Sequence, residues 1–280
     1  MTTTALFASL ILLFTACNKK GGADTSTIPE MNQLNIAYGT DSRQKMDLYL
    51  PAGRSLDSTR VIILIHGGAW VDGDKADFTQ YVNLLRQQFP GYAIFNLNYR
   101  LATEGVNLFP TQENDVESAV NFIYDHRDEY QVSGNFVYLG ASAGAHLALL
   151  QGYKHISVVR PTAIIDLFGP TELKSLYNAA PVASTLLGKL LGGTPTANPG
   201  AYEQSSPLFF VNSLSTPTLL LHGGMDAVVP VSQSQTLRDK LIDAGVANDY
   251  IFYPNEGHGW TGPNLTDTFQ KVADFLRAHP

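Results

Sequence analysis

Phe136-Val137-Tyr138-Leu139-Gly140-Ala141-Ser142-Ala143-Gly144-Ala145-His146-Leu147-Ala148-Leu149-Leu150 is the stretch on which the reading of this 280-residue chain turns. Four strand-forming residues run into G-x-S-x-G, and the pentapeptide runs directly into an apolar helix from 143 to 150. In that context the serine sits on a sharp, strained strand-to-helix turn that lifts its hydroxyl above the end of a sheet. Glycines flank it because side chains there would collide with the neighbouring strand and helix. The helix N-terminus beneath the serine favours negative charge nearby. Ser142 is therefore the candidate nucleophile.

The same alternation extends in both directions. Val61-Ile62-Ile63-Leu64-Ile65 is an uninterrupted apolar run, as in a strand buried on both faces. Residues 92–97, 162–165, 218–221 and 250–253 read the same way, and 34–50 reads as an opening pair of strands around the turn 39–42. Helical patterns lie at 115–130, 232–244 and 265–278. Strands alternating with helices predict a mainly parallel sheet with helices on its faces. The segment 170–213 interrupts the pattern with two helix-like patches and no clear strand, and is too short to bury a core of its own; it predicts a cap.

A serine hydroxyl needs a base, and the base an acid that fixes its tautomer. On this kind of turn the chain order is Ser, then Asp or Glu, then His. Among the five histidines after Ser142, His258 lies in Asn255-Glu256-Gly257-His258-Gly259-Trp260, directly after a strand, and is the candidate base. Asp226, in His222-Gly223-Gly224-Met225-Asp226 after the strand 218–221, is the candidate acid, with Asp166 at the end of 162–165 as the alternative. His66-Gly67-Gly68-Ala69-Trp70 follows the strand 61–65, and a glycine-rich loop there can turn backbone N–H groups toward a developing oxyanion. The other such donor is the N–H of Ala143, the residue after the nucleophile. His66 itself reads as a tie within its loop. Trp70 and Trp260 read equally as pocket walls or as packing.

Composition sets limits. Hydrophobic residues at 44% and charged residues at 15% suit a globular enzyme, and a formal charge of −7 without basic clusters argues against nucleic acid as a partner. No His/Cys/Asp cluster has metal-ligand spacing and no loop cradles phosphate, so neither metal nor cofactor is expected. At the N-terminus, Ala5 to Ala16 is an apolar stretch of small residues, too short to span a bilayer, ending at Cys17, the single cysteine. It resembles a bacterial lipoprotein signal, although no Lys or Arg precedes it. The expectation is a signal over 1–17, lipid attached at Cys17, a flexible tether over 18–31 and a catalytic domain over 32–280. Such a protein is exported and meets the membrane only through its anchor.

From about residue 34 onward the chain resembles the bacterial carboxylesterases and lipases related to hormone-sensitive lipase, and most of all their acetyl-ester and feruloyl-ester hydrolase branch. The resemblance rests on Met46-Asp47-Leu48-Tyr49-Leu50-Pro51, His66-Gly67-Gly68-Ala69-Trp70, Asn98-Tyr99-Arg100, the elbow around Ser142, Asp226 and Gly257-His258. It implies an α/β-hydrolase fold, with a mostly parallel central sheet, helices on both faces and a small cap insertion. It further implies a Ser142–Asp226–His258 triad and oxyanion donors at Gly68, Ala69 and Ala143. The substrate it implies is a short-chain carboxylic ester, with acetyl and feruloyl esters of plant carbohydrate among the expectations. Ala69 stands where that family commonly has Gly, and Ala141 where it often has Asp or His. Arylformamidases share a similar His-Gly-Gly-x-Trp loop, which makes amide cleavage the second enzymatic reading. A binding lipoprotein on a hydrolase scaffold is the third; it should lack a triad member, and all three are present.

Overall fold

A computed structural model describes residues 28–155, 158–179 and 181–279. The expected signal over 1–17, Cys17 and most of the expected tether lie outside the described residues. The last residues of that tether, from Ile28, are bonded to the domain: the Gly53 N–H donates to the Ile28 carbonyl, and Arg54 donates to that of Pro29.

The chain forms β1 (Met31–Ala37), β2 (Lys45–Leu50) and β3 (Val61–Ile65), then α1 (Thr79–Gln88), β4 (Ala93–Leu97), α2 (Thr111–Asp125) and α3 (Arg127–Tyr130). It continues with β5 (Phe136–Ala141), α4 (Ala143–Tyr153), β6 (Ala163–Leu167), α5 (Leu173–Ala179), α6 (Pro181–Leu190) and α7 (Pro199–Gln204). β7 (Thr218–Gly223), α8 (Ser232–Asp243), β8 (Asn248–Tyr253) and α9 (Gly262–Ala278) complete it. The eight strands make one sheet in the order β1-β2-β4-β3-β5-β6-β7-β8. β2 runs antiparallel to both its neighbours, and the pairs from β4 to β8 are parallel. This is the expected α/β-hydrolase fold.

Alternation along the strands splits the core into two layers. Val61, Ile63 and Ile65 of β3, with Phe136 and Tyr138 of β5, face the layer formed by α2, α4 and α8. Ile62, Leu64, Val137 and Leu139 face the opposite layer, which contains Val82 and Leu85 of α1 and Phe269, Val272 and Phe275 of α9. All five residues of β3 are fully buried. Each such Ile or Leu contributes roughly 1.5–3 kcal/mol on burial, so a sheet covered on both faces is the stable way to house these runs.

Three differences from the sequence reading have physical causes. α1 is not anticipated: within Thr-Gln-Tyr-Val-Asn-Leu-Leu-Arg-Gln-Gln only Val82 and Leu85 are buried, so its apolar stripe is thin. It is launched instead by a short 3-10 turn, Lys75–Phe78, whose Asp74 and Asp77 cap each other reciprocally. The continuous helix expected over 115–130 is two helices that meet at His126. Among the described residues the cap holds three α-helices, α5 to α7, and a short 3-10 turn, Pro207–Phe210, rather than two helices.

Candidate active site

Ser142 has φ 54° and ψ −122°, a conformation an L-residue holds only when its surroundings enforce it. Its N–H donates to the Leu167 carbonyl of β6, and its own carbonyl accepts from the His146 N–H one turn into α4. The elbow glycines are sterically required. A Cβ on Gly144 would lie 2.0 Å from the Ile65 carbonyl oxygen, and one on Gly140 would lie 2.3 Å from the Gly144 carbonyl carbon.

His258 Nε2 lies 2.9 Å from Ser142 Oγ, and His258 Nδ1 lies 2.7 Å from Asp226 Oδ2. The structure thus brings together Ser142, Asp226 and His258, which lie far apart in the chain. The loop after β7 fixes Asp226: Oδ1 accepts the N–H groups of Val228 at 2.8 Å and Val229 at 2.9 Å. Burial alone would raise the Asp226 carboxyl, but hydrogen bonds from His222, His258 and the Val229 N–H outweigh it and hold the carboxyl well below the usual range. Asp226 is therefore a carboxylate at neutral pH, as a group that orients an imidazole must be.

His222, unassigned in the sequence reading, is part of this arrangement. It is fully buried; Nε2 lies 2.9 Å from the Val229 carbonyl and 3.3 Å from Asp226 Oδ2, and Nδ1 lies 2.7 Å from Ser234 Oγ. Because its Nε2 faces only acceptors, that nitrogen carries the proton, and Nδ1 accepts from Ser234. The i, i+4 spacing of His222 and Asp226 across a strand end is the signal that could have revealed it.

Asp166 is placed differently. It pairs in register with Gly140 inside the sheet and is fully buried, with Oδ1 accepting the Gly169 N–H at 2.7 Å and Oδ2 unpartnered. Burial raises its carboxyl from 3.8 to about 7. A raised folded-state value stabilises the fold below the unfolded value and loses that contribution as pH climbs through the folded one. Relative to Asp166→Asn, the native chain is expected to lose on the order of 4 kcal/mol between about pH 4 and pH 7. Denaturant midpoints of the two proteins across that range check this; a difference that does not change with pH would refute it.

The loop at 66–70 is held from beneath. The His66 ring stacks on Tyr99 at 4.3 Å, and Tyr99 Oη donates to the His66 carbonyl at 2.9 Å. Burial lowers His66 to about 4, and its Nδ1 lies 2.7 Å from the Gly67 carbonyl, so it acts as a neutral tie. Asn98 accepts the Lys75 N–H and donates to Asp74, while Arg100 makes a forked pair with the buried Asp115. Asn98-Tyr99-Arg100, to which the sequence reading gave no chemistry, is the scaffold of this loop. Ala69 and Trp70 hold positive φ, 51° and 63°, and line a cavity together with Ser142. Ala143 opens α4, so its N–H has no acceptor within the helix. Trp260, by contrast, packs against Phe168 and Tyr253 and donates to Thr268 Oγ1, beneath the His258 loop rather than in the cavity.

Among the described residues no group of three or more His, Cys, Asp or Glu is placed to hold a metal ion, and no helix is long and apolar enough to cross a membrane. A hydroxyl hydrogen-bonded to an imidazole that a buried carboxylate holds in place is equipped for nucleophilic attack with proton transfer.

The BD-FAE family model matches residues 46–241. The chain is 26% identical over 264 residues to Esterase LipC of Mycobacterium tuberculosis, covering 88% of this chain and 65% of that protein. It is similar to the solved structure of a bifunctional GH43-CE protein of Bacteroides eggerthii (TM-score 0.76, 26% identity), covering 88% of this chain and 38% of that one. It also shares the fold of a truncated carbohydrate esterase from gut microbiota (TM-score 0.76, 24% identity, 93% and 99% covered). The chain spans between 51% and 65% of the length of the first three curated relatives it matches.

Proposed function

The chain belongs to the BD-FAE family of α/β-hydrolases, and from that premise we propose that it is a serine carboxylic-ester hydrolase acting on short-chain esters, acetyl esters of plant carbohydrate among them. One observation carries the reading: the hydrogen-bonded line from Ser142 Oγ through His258 to Asp226, opening on an apolar cavity.

In this reading Ser142 Oγ attacks the acyl carbonyl as His258 Nε2 takes its proton. Asp226 holds the imidazole with Nδ1–H toward it and stabilises the imidazolium. The oxyanion is received by the N–H groups of Gly68, Ala69 and Ala143, each worth about 10²–10³ in rate. His258 then returns the proton to the departing alcohol. Water, activated by the same imidazole, releases the acid from Ser142.

The test combines turnover with labelling. p-Nitrophenyl acetate and butyrate are expected to be hydrolysed, and a phosphonate probe is expected to label Ser142 in a mass-mapped digest. Turnover of an aryl formamide with the esters untouched would move the assignment to amide cleavage. A Ser142 that takes no label and catalyses nothing would leave only a binding role.

A further inference from the structure

We propose that the cavity beneath α5 and α6 is the acyl pocket of this site, and that it selects unsubstituted apolar acyl groups with up to about eight non-hydrogen atoms beyond the carbonyl, rejecting hydroxylated cinnamoyl groups such as feruloyl. The proposal rests on the ester-hydrolase reading above.

The walls give the polarity. Leu176 of α5, Leu186 and Leu187 of α6, and Val228 and Val229 after β7 enclose it opposite Trp70. Among the described residues, the only lining side chain with a polar atom apart from Ser142 is Trp70. Its indole N–H is already engaged, donating to His146 Nδ1 at 3.2 Å. That acceptor is fixed in turn: His146 Nε2 lies 2.6 Å from the Ser205 carbonyl and so carries the proton, leaving Nδ1 as a lone pair. Burial lowers His146 to about 4, so the ring stays neutral and the arrangement persists at neutral pH. A phenolic hydroxyl entering this space therefore finds no free side-chain partner.

The position gives the assignment to the acyl side. A leaving alcohol must meet His258 Nε2, which returns the proton to it. The cavity is lined by the oxyanion loop through Ala69 and Trp70 and by Ser142, and His258 is not among its walls. The group that enters it is therefore the one on the far side of the carbonyl from His258, which is the acyl group.

The volume gives the limit. The cavity measures about 250 Å³. At about 30 Å³ for each water-sized group, this holds about eight non-hydrogen atoms beyond the ester carbonyl. An octanoyl chain or an unsubstituted cinnamoyl group fills it. The methoxy and hydroxyl of a feruloyl group exceed it, and a palmitoyl chain cannot be contained. Val182, at the mouth on α6, is 74% exposed, and Leu186 lies deeper on the same helix.

The experiment measures kcat/KM for p-nitrophenyl esters from acetate to palmitate, for methyl cinnamate against methyl ferulate, and for acetates of short and long alcohols. Activity is expected to hold to about octanoate and fall beyond it. Cinnamate is expected to exceed ferulate roughly 10- to 100-fold, the equivalent of one unpaired hydroxyl. Leu186→Trp is expected to lower the octanoate-to-acetate ratio about tenfold or more; Val182→Trp, at the exposed rim, serves the same purpose should the deeper variant not fold. Ferulate turned over as well as cinnamate, palmitate as well as butyrate, a size limit that follows the alcohol instead, or an unchanged ratio in the folded variants would each overturn the proposal. Acetate turnover and phosphonate labelling of Ser142 report separately on the ester-hydrolase reading, so the two can fail independently.

Discussion

Ser142→Ala is expected to lower kcat on p-nitrophenyl acetate by on the order of 10⁴–10⁶, with KM within a few-fold of the native value. The substitution deletes only the hydroxyl oxygen that lies 2.9 Å from His258 Nε2. Alanine meets the same strain at φ 54° that serine already bears, so the elbow and the oxyanion donors stay in place. What remains is the catalysis that binding and oxyanion stabilisation provide without a nucleophile. An unchanged thermal midpoint alongside the lost rate would locate the effect in the chemistry. A variant that hydrolyses the ester at the native rate would refute a Ser142 nucleophile, whatever the geometry around it.

The second large effect is expected at Asp226. Asp226→Asn is nearly isosteric and is predicted to lower kcat about 10⁴-fold, because it reverses the polarity of one hydrogen bond. The amide oxygen would keep the N–H groups of Val228 and Val229, which now point at Oδ1. The amide nitrogen would then face His258 Nδ1, forcing that nitrogen to accept and moving the ring proton to Nε2, where it blocks proton transfer from Ser142. The same NH₂ would also confront the His222 Nε2–H, 3.3 Å from the present carboxylate oxygen. Asp166→Asn supplies the contrast. Its carboxyl bonds the Gly169 N–H rather than an imidazole, so kcat is expected to change less than about tenfold. Loss of turnover in Asp166→Asn with retention in Asp226→Asn would reassign the acid to β6.

Much of this protein is written locally. The run Val61–Ile65 must be covered on both faces, and Phe136–Ala141 leading through two glycines into an apolar helix dictates a strained turn carrying Ser142. These features depend on neighbours in the chain, through side-chain alternation and turn sterics, and so the alternation of the sheet, the elbow and the loop at 66–70 were all legible. α1 was not, since its stability comes from packing Val82 and Leu85 against α9 and the sheet rather than from a strong periodic stripe of its own.

Tertiary structure decided what depends on strand order. Asp166 and Asp226 both follow apolar strands and are equivalent as text. Only the sheet sets Asp166 in register with Gly140, within the buried layers, and carries the loop after β7 up to His258. His222 and His146 likewise acquire their tautomers from partners brought by folding, the Val229 carbonyl and Ser234 for one, Trp70 and the Ser205 carbonyl for the other. The acyl cavity exists because α5 and α6 fold back over Ser142, and no window of sequence contains both its floor and its roof. Local patterning could name the residues able to react, because hydroxyl, imidazole and carboxylate keep their chemistry wherever they lie. Which of them meet was fixed by long-range pairing: Ser142 and His258, 116 residues apart, touch only because β5 and β8 end on the same side of one sheet.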